Sequence, residues 1–177
     1  TNTVFNVEDD IGITVDEDDA TITGSTFNIE TGGIGITIGA DGTDTDVADS
    51  TFSGTILYGT SGVGINLTTA TSNLSVVDST FDSLDTALDI DAGTVTATTN
   101  TIQGSVEEAI IVTAATSVTL SGNTITGNNT DDILQVAADA EDIYLLFNTI
   151  TDNDGASGLL IDNNDTGVDL IAVNNWW

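Results

Sequence analysis

Ser25-Thr26-Phe27 is followed 25 residues later by Ser50-Thr51-Phe52, and 29 residues after that by Ser79-Thr80-Phe81. The same element continues as Asn100-Thr101-Ile102, Asn123-Thr124-Ile125 and Asn148-Thr149-Ile150. Upstream stands Asn2-Thr3-Val4, and a degenerate eighth copy, Asn174-Asn175-Trp176, lies near the C-terminus. Counted from first residue to first residue, the intervals are 23, 25, 29, 21, 23, 25 and 26. A period of this size marks a solenoid, in which each repeat buries its apolar face against its neighbours. The repeat fills residues 1–177 and predicts one domain of about seven coils.

Each repeat reads as three short strands. Side chains alternate along a strand, so Thr of the tripeptide points out when its apolar neighbour points in. Val4, Phe27, Phe52, Phe81, Ile102, Ile125 and Ile150 are therefore expected as one interior column. A second run carries Ile11, Ile13 and Val15, then Ile34, Ile36 and Ile38, and so on to Leu159 and Ile161. A third run places Ile22, Val47, Val76, Ala97, Leu120 and Leu145 three residues before the next tripeptide. At the last coil Ile171 fits an anchor at Asn174, while Leu170 and Ala172 fit one at Asn175, and periodicity does not choose between them. The Ser or Asn opening each tripeptide is expected at a sharp corner, stacked into a hydrogen-bonded ladder. Acidic clusters, such as Asp16-Glu17-Asp18-Asp19, mark the corners between second and third runs. The helix-like stretch 136–140 is too short to stand alone. The expected fold is all-β: parallel strands stacked coil on coil.

The chain has 23 Asp, 6 Glu and no Lys, Arg or His, for a formal charge of −29. With no cation to displace phosphate counterions, nucleic acid is not expected as a partner. An anionic membrane surface would repel the chain, and no run is long enough to predict membrane insertion. There is no Cys, so redox compartment stays open. There is no Met either, which predicts a processed chain or a segment of a longer protein.

The Asn/Ser-Thr-Phe/Ile elements and the Gly-Ile-x-Ile elements together resemble the right-handed parallel β-helix repeat proteins. That superfamily includes pectin lyases, polygalacturonases and large secreted adhesins. The terminal Asn174-Asn175-Trp176-Trp177 is similar to a motif of surface β-helix proteins, where Gly and Pro usually follow. The resemblance covers the whole chain. It implies a β-helix with three strands per coil in coils of 21–29 residues, and an extracellular or cell-surface location. Such motifs identify architecture well and activity badly.

Lyases of that superfamily rely on Arg or Lys, which this chain lacks. Asn129-Thr130-Asp131-Asp132 resembles a compressed polygalacturonase signature, but the accompanying His, Arg and Lys are missing, so no enzyme is expected. Hard cations want several oxygen ligands. Asp41, Asp44 and Asp46, then Asp152 and Asp154, then Asp162 and Asp165 supply clustered ones, and calcium is the cation that suits them. The twelve-residue helix-loop-helix calcium pattern is absent. Gly32-Gly33-Ile34-Gly35-Ile36 is similar to the start of a calcium β-roll repeat, but Thr37 stands where Asp is needed.

The tripeptide Thr residues, from Thr3 to Thr149, predict one exposed rank, as in ice-binding solenoids. The rank beside it, Phe5, Asn28, Ser53, Asp82, Gln103, Thr126 and Thr151, is too mixed to favour that function. Asn66, Asn73, Asn128 and Asn164 are formal glycosylation acceptors. The leading expectation is a structural or adhesive solenoid segment with open coil edges, associating with itself or with neighbouring repeats into a filament. The alternative is a carbohydrate-binding or carbohydrate-processing β-helix, with Tyr58 of the 54–62 loop stacked on a glycan. A charge of −29 further predicts a saline or calcium-rich setting.

Overall fold

The computed structural model describes residues 2–39, 43–55, 62–128, 132–137, 140–153, 161–163 and 170–177. Those residues form short strands and no helix. Strands Val4–Val7, Thr26–Ile29, Thr51–Gly54, Thr80–Asp82, Thr101–Gln103, Thr124–Thr126 and Thr149–Thr151 make a first sheet. A second holds Ile11–Val15, Ile34–Ile38, Val63–Leu67, Thr86–Ile90, Ile110–Val112, Leu134–Val136 and Ile161–Asn163. Ala20–Thr23, Asp44–Ala48, Asn73–Val77, Thr94–Thr98, Ser117–Ser121, Asp142–Leu146 and Leu170–Val173 make the third. All pairings are parallel, each strand against its counterpart in the adjoining coil. The chain is a β-solenoid with three strands per coil.

Alternation sends one set of side chains inward along each strand. Phe27, Phe52 and Phe81 are fully enclosed, and their rings stack with centroids 4.7 Å apart and planes within 4°. Ile102, Ile125 and Ile150 continue the column. In the third sheet Ile22, Val47, Val76, Ala97, Leu120 and Leu145 form the buried rank that periodicity predicts. The second sheet departs from strict alternation. Gly35 and Ile36 are both buried, and so are Gly64 and Ile65, which turns Ile34 and Val63 toward the outside. A Cβ on Gly35 would sit 2.6 Å from the Gly64 carbonyl oxygen and 2.9 Å from the Phe52 ring. One on Gly64 would sit 2.6 Å from the Ala87 carbonyl and 2.8 Å from Phe81. The glycines of the Gly-Ile-x-Ile element are thus the space into which the next coil's phenyl ring packs.

The corner between third and first sheets repeats one device. Asn2, Gly24, Asp49, Asp78, Thr99, Gly122, Phe147 and Asn174 all have φ between 46° and 65°. The following residue is Thr3 in the first coil and a Ser or Asn thereafter, and its side chain is buried from Ser25 through Asn148. From Ser50 onward each accepts a hydrogen bond from the corner N–H of the coil before it. Ser25 N donates to Ser50 Oγ (3.2 Å), Ser79 N to Asn100 Oδ1 (2.9 Å) and Asn123 N to Asn148 Oδ1 (2.9 Å). The expected ladder is therefore present. A second, shorter ladder lies between the first and second sheets. Ser105 N donates to Asn128 Oδ1 (2.9 Å), and Asn128 N donates to Asn153 Oδ1 (3.1 Å). Asn128 is consequently buried with its amide nitrogen donating inside the fold, so this formal acceptor is closed to a glycan.

Both ends correct the tripeptide alignment. Val4 pairs with Thr26 and is 64% exposed, while Phe5 pairs with Phe27 and stacks on it at 4.8 Å. The anchor is Thr3-Val4-Phe5. The interior column therefore starts at Phe5 instead of Val4, and the outer rank at Val4 instead of Thr3; Asn6 replaces Phe5 in the rank beside it. The physical reason is twofold: a ring in register extends the stack, and Asn2 suits the left-handed position better than Thr3. At the other end Asn148 N donates to Asn175 Oδ1 (2.8 Å), and Trp176 bridges to Thr149. Leu170 and Ala172 align with Ile143 and Leu145, which fixes the last anchor at Asn175.

Candidate functional site

Among the described residues the acidic side chains do not converge. Asp44 and Asp46 lie on one strand of the third sheet, two residues apart and both exposed, with Thr45 between them turned into the core. They therefore belong to a strand, where the sequence suggested a corner. Asn73 Nδ2 donates to Asp44 Oδ1 at 2.9 Å. Asp152 occupies a left-handed corner between first and second sheets (φ 55°), and its carbonyl accepts from Gly127 N. Asp162 is on the second sheet beside Gln135. Asp41, Asp154 and Asp165 lie outside the described residues, as do Asp131 and Tyr58. Among the described residues no three His, Cys, Asp or Glu stand close enough together to hold a metal ion.

Carboxylates are instead interleaved with donors from the adjoining coil. Thr43 Oγ1 donates to Asp18 Oδ1 at 2.7 Å, Asn66 Nδ2 to Asp89 Oδ2 at 3.2 Å and Gln135 Nε2 to Glu108 Oε1 at 3.3 Å. Stacking acid on acid at one coil rise, about 4.8 Å, costs about 0.9 kcal/mol in water, and a neutral donor between them removes the contact. The acidic corners of the sequence are accordingly interrupted: the third coil turns on Thr68-Thr69-Ala70-Thr71-Ser72, and the fifth on Thr113-Ala114-Ala115-Thr116. Asp49 and Asp78 are an exception, following one another in the left-handed column. Asp89 is half-buried, and its carboxyl is raised above 3.8 by burial first and by the Asp91 charge second.

Each end of the solenoid carries a hollow. The N-terminal face exposes a hollow of about 480 Å³ lined by residues including Phe5, Val7 and Ile11. The C-terminal face has one of about 300 Å³ between Ile150, Asn153 and Trp177. On the outward side, the first sheet carries Thr from Thr26 to Thr149.

The third sheet changes character near its C-terminal end. One outward rank reads Thr21, Asp46, Ser75, Thr96 and Thr119, then Tyr144 and Ile171. The next reads Thr23, Ala48, Val77, Thr98 and Ser121, then Leu146 and Val173. Phe147 takes the left-handed corner beside them, and Trp176 replaces Thr in the first-sheet rank. Reading the tripeptide column alone misses this patch; comparing each outward rank coil by coil reveals it. Compared with protein-family models, with curated proteins and with solved structures, the chain finds no match.

Proposed function

We propose that the chain is a structural segment of a secreted or cell-surface protein, a β-helical shaft of the pectin-lyase-like kind, extended by stacking at its coil ends. The observation that carries this reading is the state of the outermost strands. Val4–Val7, Ile11–Val15 and Ala20–Thr23 each pair along one edge, as do Ile161–Asn163 and Leu170–Val173 in the last coil, while Trp176 covers part of the outer edge of Thr149–Thr151. An unpaired parallel edge is a template for another strand. A further coil, from adjoining sequence or from a second copy, would also cover Phe5 and Trp177. The formal charge of −29 suits a saline or calcium-rich exterior.

Light scattering across concentration in molar NaCl tests the stacking. The expected result is open-ended growth, abolished when Phe5→Lys places a charge on the interior of the N-terminal face. Particles that never exceed two copies overturn end-to-end assembly. The acid load has its own test. The Tm is expected to climb with NaCl, because the Debye length falls to about 3 Å near 1 M. Millimolar Ca²⁺ is expected to replace much of that salt, and a Tm indifferent to both overturns the saline or calcium-rich assignment.

A further inference from the structure

Tyr144, Leu146, Phe147, Ile171, Val173 and Trp176 form an apolar surface on the side of the solenoid, across the third sheet and its corner with the first. Phe147 is 63% exposed and Trp176 72%. These side chains face sideways, so a coil stacked on either end leaves them uncovered. Their surroundings make the surface unusual for this chain. At the same ranks one coil earlier stand Thr119, Ser121 and Gly122. Phe147 also pays in conformation: its φ of 58° lies in the region that a side chain with a Cβ avoids. Other coils fill this corner with Asn, Asp, Gly or Thr. A bulky aromatic held both strained and exposed marks a contact surface rather than a packing need.

We infer that this face pairs with the same face of a second copy of the chain, about a two-fold axis. Charge selects the occupant. With 29 acids and no base, two copies repel wherever their carboxylates meet. On the third-sheet face of the last two coils, the carboxylate among the described residues is Asp142, at the edge away from Phe147. The patch is thus a place where two such chains can approach. Area sets the strength. The exposed parts of the six side chains amount to on the order of 500 Å², so a pair buries about 1,000 Å², near the lower bound for a specific interface. Pairing is therefore weak, favoured by salt, and closed at two, because an isologous contact uses up the patch on both partners. It does not rest on end-to-end stacking.

The test uses the Phe5→Lys chain, in which end stacking is blocked at the opposite end, and follows mass by sedimentation equilibrium from low to molar NaCl. A monomer at low salt that becomes a dimer at molar salt is expected. Phe147→Asn is expected to weaken the dimer at least tenfold while raising the monomer's Tm, because Asn suits the left-handed corner. A purely structural Phe147 would give the opposite change in Tm. Tyr144→Thr, which restores the residue type of the preceding coil, is expected to weaken the dimer without lowering Tm. A monomer at every salt concentration overturns the proposal, and so does a dimer that survives both substitutions. Adsorption to an insoluble neutral polysaccharide, lost in Phe147→Asn while the chain stays monomeric, overturns it in favour of a sugar-binding face.

Discussion

The first four coils and the last ones solve the same cross-section with different residues. Coils opening at Thr3, Ser25, Ser50 and Ser79 carry Phe5, Phe27, Phe52 and Phe81 in the interior. The next three carry Ile102, Ile125 and Ile150. Across the second sheet, Gly12, Gly35 and Gly64 give way to Ala87 and Ala109 and then to Ile133. The corner changes from Ser to Asn at the same boundary. Gly64 faces the last ring, Phe81, and Ala87 follows where Ile102 succeeds it. Close packing makes the sum of volumes in a layer the conserved quantity, so a ring with Gly and Ser is exchanged for Ile with Ala and Asn.

The corner changes more than volume. Ser50 Oγ donates to the Ala48 carbonyl of its own coil. Asn123 Nδ2 donates instead to the Ala97 carbonyl one coil earlier (2.9 Å) and to Asn148 Oδ1 one coil later (3.0 Å). The early coils are joined by stacked rings and the later ones by side-chain amides.

Breaking the ring stack is expected to cost most. Phe52→Ala should destabilise by about 3–5 kcal/mol, whereas its outward neighbour Thr51→Ala should cost less than about 1 kcal/mol. Equal costs in urea denaturation would show that the stack contributes nothing beyond an ordinary strand site. Next comes the amide ladder. Asn123→Ala strands the buried N–H of Asn100 and removes the amide's bridges to the Ala97 carbonyl and to Asn148, for about 3 kcal/mol; Ser50→Ala strands one N–H, for about 1–2 kcal/mol. The same loss at both sites would erase the distinction between the two halves.

The third prediction sharpens the volume exchange. Gly64→Ala should cost about 1–3 kcal/mol beside Phe81, and less in a Phe81→Ile background. A double-mutant cycle reads the coupling directly, and strict additivity would contradict the exchange. The smallest effect concerns Asp89. Its carboxyl binds a proton more tightly in the folded chain, because of burial and then Asp91, so ionising it opposes folding as pH rises. Asp89→Asn should therefore raise the Tm at neutral pH, and the gain should fade as pH falls toward 3.8, the ordinary value. Tm measured on both chains from pH 3 to 7 checks the sign.

Most of the architecture is legible in the sequence because the side-chain period of a strand and the recurrence of the corner residue coincide. Phe27, Phe52 and Phe81 could hardly be placed otherwise than inside. The ends are less legible. Nothing in Asn2-Thr3-Val4-Phe5 distinguishes two registers until the ring of Phe5 is set against Phe27. The glycine column is visible as letters, yet its purpose appears only when Gly64 and Phe81, residues of successive coils, are seen to share one space. The acidic residues mislead for a related reason. Asp44 and Asp46 look like a ligand cluster along the chain, but alternation holds both on one exposed strand face with Asn73 bonded to the first. The lateral apolar face is hidden because its six residues come from two stretches of sequence, 144–147 and 171–176, a whole coil apart.

The left-handed corner also acts as a ruler. Coil lengths differ, with 21 residues between Ser79 and Asn100 and 29 between Ser50 and Ser79, yet every coil returns to the same corner geometry before the next ladder residue. Surplus residues must therefore be absorbed in the other two connections. The corner sets the zero from which each coil is counted. A graft or duplication cut between a left-handed residue and its Ser or Asn, for instance between Asp49 and Ser50 and again between Asp78 and Ser79, would transplant a whole coil with its pairing frame intact. An odd number of residues inserted within Thr51–Gly54 would instead throw that one strand out of phase with Thr26–Ile29 and Thr80–Asp82, and the next corner would restore the count.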